Sequence, residues 1–342
     1  MNALDGLLVY GPSWLGDSIM SMPALQMLKR QQPAVPVTVL ARPHLAPLWR
    51  LHGAVDEVVE LRDAARGWWG SVRRIRAQGF RRIVICPNSF RSAVIPFMAR
   101  IPERVGRAGH QRRWLLTSVV EEPASLHGRH QAWEYANLLG LAPEELEAPR
   151  LVVPDAVVRQ CYDRLSSVDV GGGWVGLIPG AARGPSKRWP ADHFAAVGRM
   201  LIRAVKCRVL VFGTDAETLL CSQVSGAIGG GALNVAGATS LPDFAALLRL
   251  CRVVVVNDSG GMHLAAAVGT PVVAVFGITD PARTGPLGLG HRVICAPGFA
   301  RSRAVAARSP QAARALLSIK PGQVTDAALA ILRARQGDFA VL

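Results

Sequence analysis

The segment Gly11-Pro12-Ser13-Trp14-Leu15-Gly16-Asp17-Ser18 follows an apolar run, Leu7–Tyr10. A phosphate-binding G-x-x-x-x-G-K-[ST] loop carries a lysine where this one has Asp17, and Ser13 breaks the dinucleotide pattern G-x-G-x-x-G. Asp17 then admits two readings. It caps the helix that follows, or it is held at a strand end as a general base. A second segment, Pro179-Gly180-Ala181-Ala182-Arg183-Gly184-Pro185-Ser186-Lys187-Arg188-Trp189-Pro190, combines small residues that expose amides with two cations, Lys187 and Arg188. That is equipment for an anion. In the third, Val253–Val256 runs into Asn257-Asp258-Ser259-Gly260-Gly261-Met262-His263. Asp258 or Ser259 suits a helix cap, the glycines admit a diphosphate to free amides, and His263 falls in the first helical turn. In Phe212-Gly213-Thr214-Asp215-Ala216-Glu217 a carboxylate just past a strand either holds a ribose diol or caps a helix.

Elements that place these residues at strand ends are legible. Short β-branched runs alternate with helical periodicity: Leu7–Tyr10, 18–29, Val37–Ala41, 57–61, 68–78, 83–86 and 92–100. The rhythm breaks over 140–173, where Pro143, Pro149 and Pro154 precede Gly171-Gly172-Gly173. It resumes at Trp174–Ile178 and continues through Val272–Phe276, and a last helix is expected over 324–335 after Pro321-Gly322. The expectation is α/β, two Rossmann-like parallel-sheet halves, with the site in a central cleft. The halves are set at 1–165 and 166–320, with 321–342 packing back on the first.

The 342 residues are half apolar and 18% charged, which excludes disordered and fibrous classes. Net charge is +15, from 35 Arg and 4 Lys against 24 acids. Its distribution is uneven: residues 62–129 carry 14 basic and 4 acidic side chains, 301–342 carry 7 and 2, and 130–300 are near balance. A uniformly basic nucleic-acid coat is disfavoured, and an anionic acceptor or membrane surface fits better. Six scattered cysteines form no Cys-x-x-Cys pair, which argues against a disulfide scaffold or zinc site. No signal peptide or spanning segment is expected, so the chain is read as cytoplasmic. Trp114 and the pair Trp68-Trp69 suit either core packing or an interfacial anchor.

Together GPSWLGD (11–17), PNSFRSA (87–93), RVGRAG (104–109), PGAARGPSKRWP (179–190) and NDSGGMHLAAA (257–267) resemble the ADP-heptose–lipopolysaccharide heptosyltransferases of glycosyltransferase family 9, in particular their heptosyltransferase II branch. The similarity runs from about residue 7 to 297. It implies a GT-B fold and an inverting heptose transfer from ADP-heptose to inner-core Kdo or heptose on lipid A, at the cytoplasmic face of the inner membrane. No cofactor is obligatory, a divalent cation being an optional assistant, and no metal ligand set is expected. Asp17 matches the base, with Lys187 as its catalytic partner at the leaving group. Donor contacts are expected from Gly180, Ala182, Lys187 and Arg188, from Glu217, and from Asp258, Ser259, Gly260, Gly261, Met262 and His263. Acceptor contacts are expected from Ser13, Trp14, Gly16 and Asn88, and from Arg91, Arg107, Arg112 and Arg113, whose guanidinium groups suit carboxylates and phosphates.

Two departures stand out. Ala182 and Arg183 occupy positions where an acidic or aromatic side chain is usual, and only Cys295 remains of a cysteine-rich stretch over 295–320. The runner-up is the same fold with another nucleotide-sugar or acceptor. A nucleic-acid-binding role explains the charge but has no motif, and a nicotinamide dehydrogenase lacks its fingerprint.

Overall fold

A computed structural model describes residues 6–61, 65–142, 145–165, 171–302 and 305–334, with backbone alone over 65–68. Pro143, the Trp68 side chain and residues 335–342 therefore lie outside the described residues. Two compact units divide the chain, Met1–Val152 and Val153–Leu342.

The first unit holds strands β1 (Leu7–Tyr10), β2 (Val37–Ala41), β3 (Glu57–Glu60), β4 (Arg82–Ile85), β5 (Glu103–Gly106) and β6 (Ser118–Val119), ordered β3-β2-β1-β4-β5-β6. The second holds β7 (Trp174–Ile178), β8 (Arg208–Val211), β9 (Ala232–Asn234), β10 (Cys251–Asn257), β11 (Val272–Phe276) and β12 (Arg292–Cys295), ordered β12-β11-β10-β7-β8-β9. All pairings are parallel. Each sheet starts in its middle, builds outward on one side, then returns to build on the other, the doubly wound Rossmann order. Central strands are buried on both faces and therefore read as continuous apolar runs. Val9 lies between Val39 and Val84, and Val255 between Leu177 and Val273.

Helices cover the sheets and bury aliphatic and aromatic cores, with Val72, Ile75, Ile95 and Ile101 in the first unit. Phe194, Leu201, Leu316 and Ile331 fill the second. Local chemistry starts several helices. Ser89 Oγ accepts the amide of Ser92 at 3.2 Å, and Ser240 with Asp243 makes a reciprocal capping box.

One expectation is corrected. The boundary falls at 152/153, because the helix Asp155–Leu165 packs on the helix Leu241–Leu250 of the second unit. The last helix, Pro321–Ala334, sits against the helix Ala191–Val205 and strands β10 and β11, burying Val324, Ala328, Ile331 and Leu332. In the segment before it, the helix Pro310–Ser318, capped by Ser309, buries Ala312, Ala315 and Leu316 in the second core.

All six cysteines are free. Burial pushes Cys86 and Cys221 up to about 12 and Cys207 up to about 11, so these thiols stay protonated and inert. His52 is buried beside Trp49, ring centroids 6.4 Å apart, and burial pushes it down from 6.5 to about 4. Between those values the unfolded chain binds a proton that the folded chain does not, so stability falls as pH falls through that window. The loss from this group at pH about 5 amounts to about 2 kcal/mol. Urea midpoints of His52→Gln are expected to change less between pH about 7 and 5 than those of the parent; an equal change would remove His52 as the cause.

Candidate functional site

Ligands of doubly wound sheets gather where neighbouring loops leave the sheet in opposite directions, between the first and fourth strands. In the first unit those are β1 and β4. The loop after β1 runs Gly11–Trp14 and enters the helix Leu15–Gln31, in which Asp17 is the third residue. Trp14 occupies the cap position without a side-chain cap bond. Asp17 instead turns to another helix: Gln131 Nε2 donates to its Oδ1 at 2.7 Å and the Tyr135 hydroxyl donates to the same oxygen at 3.2 Å. Burial, then the Asp17 charge, pushes the Tyr135 phenol well above its ordinary value, which keeps it a donor. The structure thus favours a positioned carboxylate over a simple helix cap.

The same helix, Ala132–Leu138, holds the other side of this junction. Arg107 Nη1 donates to Glu134 Oε2 at 2.9 Å and its Nη2 to the Glu134 carbonyl at 3.1 Å. Arg112 is fully buried. Its Nε donates to the Arg107 carbonyl at 2.9 Å, Nη1 to the Pro87 carbonyl and to Ser92 Oγ at 2.9 Å, and Nη2 to Asn88 Oδ1 at 3.1 Å. Arg112 is therefore removed from the acceptor set: every nitrogen has a protein acceptor, and its role is to tie the loop after β4 to the loop after β5. Asn88 is engaged on the same arginine and Arg107 is ion-paired. Arg91, Arg113 and Trp14 are exposed; Ser13 in the β1 loop and Gly16 in the first turn of the following helix are half-buried.

In the second unit the corresponding strands are β7 and β10. Lys187 Nζ and Asp258 Oδ2 form an ion pair, with side chains 13% and 7% exposed. Buried Asn257 joins the two loops, donating to the Pro179 carbonyl at 2.8 Å and accepting from the Trp189 amide at 3.0 Å. The 305–309 stretch braces the β7 loop from below: Gly184, at φ +92°, packs on Ala307, and Ser186 Oγ accepts the Ser309 amide at 2.7 Å.

Glu217 takes the capping geometry. Its Oε2 accepts the Thr214 amide at 3.0 Å and hydroxyl at 2.9 Å, while Arg188 Nη2 lies 3.7 Å from Oε1. The carboxylate lies over Gly180, where a Cβ would come within 2.1 Å of it, so any side chain there would push the Glu217 carboxylate out of this position. After β10, the helix Gly260–Ala267 opens at Ser259, whose buried hydroxyl oxygen has no hydrogen-bond partner among the described residues. The Met262 side chain is fully buried and contributes packing. Gly261 serves close approach to β7, a Cβ there meeting Ile178 at 2.9 Å. His263 is buried rather than presented outward, and Ala182 is exposed.

Gln131, Tyr135, Glu134 and Asn257 are site-shaping residues that motif reading missed. The sequence signal for the first three is their closeness on one short segment, Gln131 at the cap of the helix that carries Glu134 and Tyr135. Among the described residues no group of three or more His, Cys, Asp or Glu side chains is placed to hold a metal ion. No helix among them is long and apolar enough to cross a membrane.

Residues 68–311 match the family model described as glycosyltransferase family 9 (heptosyltransferase). The chain is 33% identical over 306 residues to lipopolysaccharide heptosyltransferase 2 of Salmonella typhimurium, covering 84% of this chain and 87% of the relative. The solved structure of Escherichia coli ADP-heptose lipopolysaccharide heptosyltransferase II matches at TM-score 0.84 and 28% identity, over 97% of this chain and all of that one. An E. coli heptosyltransferase solved with ADP matches in fold, at TM-score 0.71 and 17% identity, over 95% of this chain and 99% of that one. The units are of the Rossmann type that builds GT-B glycosyltransferases.

Arg112→Ala is expected to destabilise the first unit by at least about 3 kcal/mol, since the Pro87 and Arg107 carbonyls and the Asn88 and Ser92 side chains lose a charged donor and a fully buried side chain leaves a cavity. Exposed Arg113→Ala should stay within about 0.5 kcal/mol of the parent in the same urea titration. Similar effects of the two would refute the structural role of Arg112.

Proposed function

The chain belongs to glycosyltransferase family 9 (heptosyltransferase), and on that premise we propose that it moves L-glycero-D-manno-heptose from ADP-heptose to the lipopolysaccharide inner core, as a heptosyltransferase II. The observation that carries this reading is the Lys187–Asp258 pair beside the N-terminus of the helix Gly260–Ala267, at the switch point of the second sheet. A cation and a row of helical amides at one place suit a diphosphate.

In this scheme Asp17 accepts the proton of the acceptor hydroxyl. The oxygen attacks the anomeric carbon of the donor heptose from the face opposite ADP, the bond from that carbon to the β-phosphate oxygen breaks, and configuration inverts. ADP departs with its bonding electrons. Lys187, fixed by one bond to Asp258, keeps two ammonium hydrogens for the phosphates, and Arg188 adds charge to the same loop. Ser259 offers its unpaired hydroxyl to the same anion. Gly180 brings the loop backbone close to Glu217, whose carboxylate keeps lone pairs for the adenosine ribose. Gln131 and Tyr135 are positioning residues for Asp17. No step is assigned to a resident cofactor.

On the acceptor side, exposed Arg91 and Arg113 suit the carboxylates and phosphates of an inner core on lipid A, with Ser13 and Trp14 in the loop before Asp17 and Gly16 beside it in the helix. Such an acceptor would bring the enzyme to the cytoplasmic face of the inner membrane.

Product analysis with defined truncated lipopolysaccharides tests the reading. Transfer is expected from ADP-heptose and not from UDP- or GDP-sugars; turnover of those instead would overturn the donor assignment. Asp17→Asn should lower kcat by about 10²–10⁴-fold while ADP affinity holds. Near-normal turnover would remove Asp17 as base. Lys187→Ala should weaken ADP-heptose binding at least about tenfold by calorimetry, and an unchanged affinity would count against its phosphate role.

A further inference from the structure

One region of the first unit carries large apolar side chains on its outside. Trp114 is 66% exposed, Phe90 42% and Phe97 40%. Phe90 and Phe97 lie seven residues apart on the helix Phe90–Met98, hence on one face two turns apart. Trp114 comes from the 3-10 turn Arg113–Leu115, and its ring centroid is 6.0 Å from each phenyl ring. The three rings therefore form one patch built from two segments.

The patch is held rigidly. Arg104 Nε donates to the Leu115 carbonyl at 2.8 Å and Nη1 to the Ile101 carbonyl at 2.5 Å, while its guanidinium stacks 5.5 Å from the centre of Phe97. Leu115 is buried beneath, so the turn has an inward anchor and an outward tryptophan. Arg112, in the preceding position, fixes the other side of the turn. None of the three aromatic rings is needed to close the core below.

Around the rings the charge has one sign. Residues 86–119 contain six arginines and one acid, Glu103. That acid pairs with Arg82 at 3.3 Å. Arg91 and Arg113 adjoin Phe90 and Trp114 in sequence, and with Arg100 they are exposed. Amphipathic tryptophan and phenylalanine with a guanidinium rim suit the headgroup region of an anionic bilayer. A second copy of this chain is a poorer occupant, because a twofold contact would set this cationic rim against itself.

We propose that Phe90, Phe97 and Trp114, rimmed by Arg91, Arg100 and Arg113, dock the first unit on an anionic lipid bilayer. The rings enter the interface and the arginines meet lipid phosphates. The membrane-anchored acceptor of the proposed function supplies the reason for such a surface, but the docking is measurable without turnover.

The test uses the full chain with vesicles of phosphatidylethanolamine and phosphatidylglycerol, and with vesicles of phosphatidylcholine. Binding to the anionic vesicles is expected to be at least about tenfold tighter. The double variant F97A/W114A should bind them at least about tenfold more weakly. Its turnover of a delipidated core oligosaccharide should match the parent, which shows that the variant is folded. W114F, which keeps an apolar ring, should bind close to the parent but lose the part of the vesicle-induced blue shift in tryptophan fluorescence that Trp114 contributes. The proposal is overturned if the parent does not bind anionic vesicles, if F97A/W114A binds them as tightly, or if the patch instead mediates concentration-dependent self-association that the double variant abolishes while vesicle binding persists. Failure of heptose transfer with intact vesicle binding would overturn the functional reading and leave the docking surface standing.

Discussion

Each sheet begins in its own middle, and the rest of the chemistry depends on that constraint. A parallel strand needs a crossover to reach its neighbour, and right-handed crossovers from a central strand must leave in opposite directions to build both sides. The loops after β1 and β4, and after β7 and β10, therefore part at the carboxyl ends of adjacent strands. Backbone amides and carbonyls there have no ladder partner, so the gap must be filled by polar side chains or a ligand. Asp17 stands at one such point, and Lys187 with Asp258 at the other.

Loops at these positions need fixing, and the two units do it with different buried polar groups. In the first, Arg112 replaces a missing layer of secondary structure by donating to the Pro87 and Arg107 carbonyls and to Asn88 and Ser92 side chains. In the second, Asn257 joins both loops through one amide side chain, with 305–309 supporting the β7 loop from beneath. An arginine with no carboxylate partner is a costly group to bury, and its burial lowers it to about 10, still charged at neutral pH. Several carbonyl acceptors offset that cost, and the loop conformation is fixed as a result.

The large positive charge divides accordingly. Arg104, Arg107 and Arg112 are internal struts of the first unit, while Arg91, Arg100 and Arg113 face outward around exposed aromatic rings. Net charge in the sequence counts both kinds alike. The outward-facing positive surface of this region is thus smaller than the arginine count suggests, and more concentrated.

Strand positions were legible because fully buried parallel strands are continuous apolar runs, and the motif loops were legible because glycine and charge cluster at the ends of such runs. The same text named Asp17, Lys187, Asp258 and the glycines after β10. The short edge strands β6, β9 and β12 left no comparable pattern, being half-buried and of mixed polarity. Nor did sequence separate Arg112 from Arg113, neighbours of one type with opposite roles. Which of the two turns inward depends on where the carbonyls of Pro87 and Arg107 lie, about twenty-five and five residues back along the chain. The last helix followed the same rule: its apolar stripe was plain, but the surface it covers was not, because periodicity states that a face must be buried and not against what. Sequence by itself determined which residue types stand at the strand ends. Only the tertiary structure decided which of them meet, because hydrogen-bond partners are set by distance in space and not by spacing along the chain.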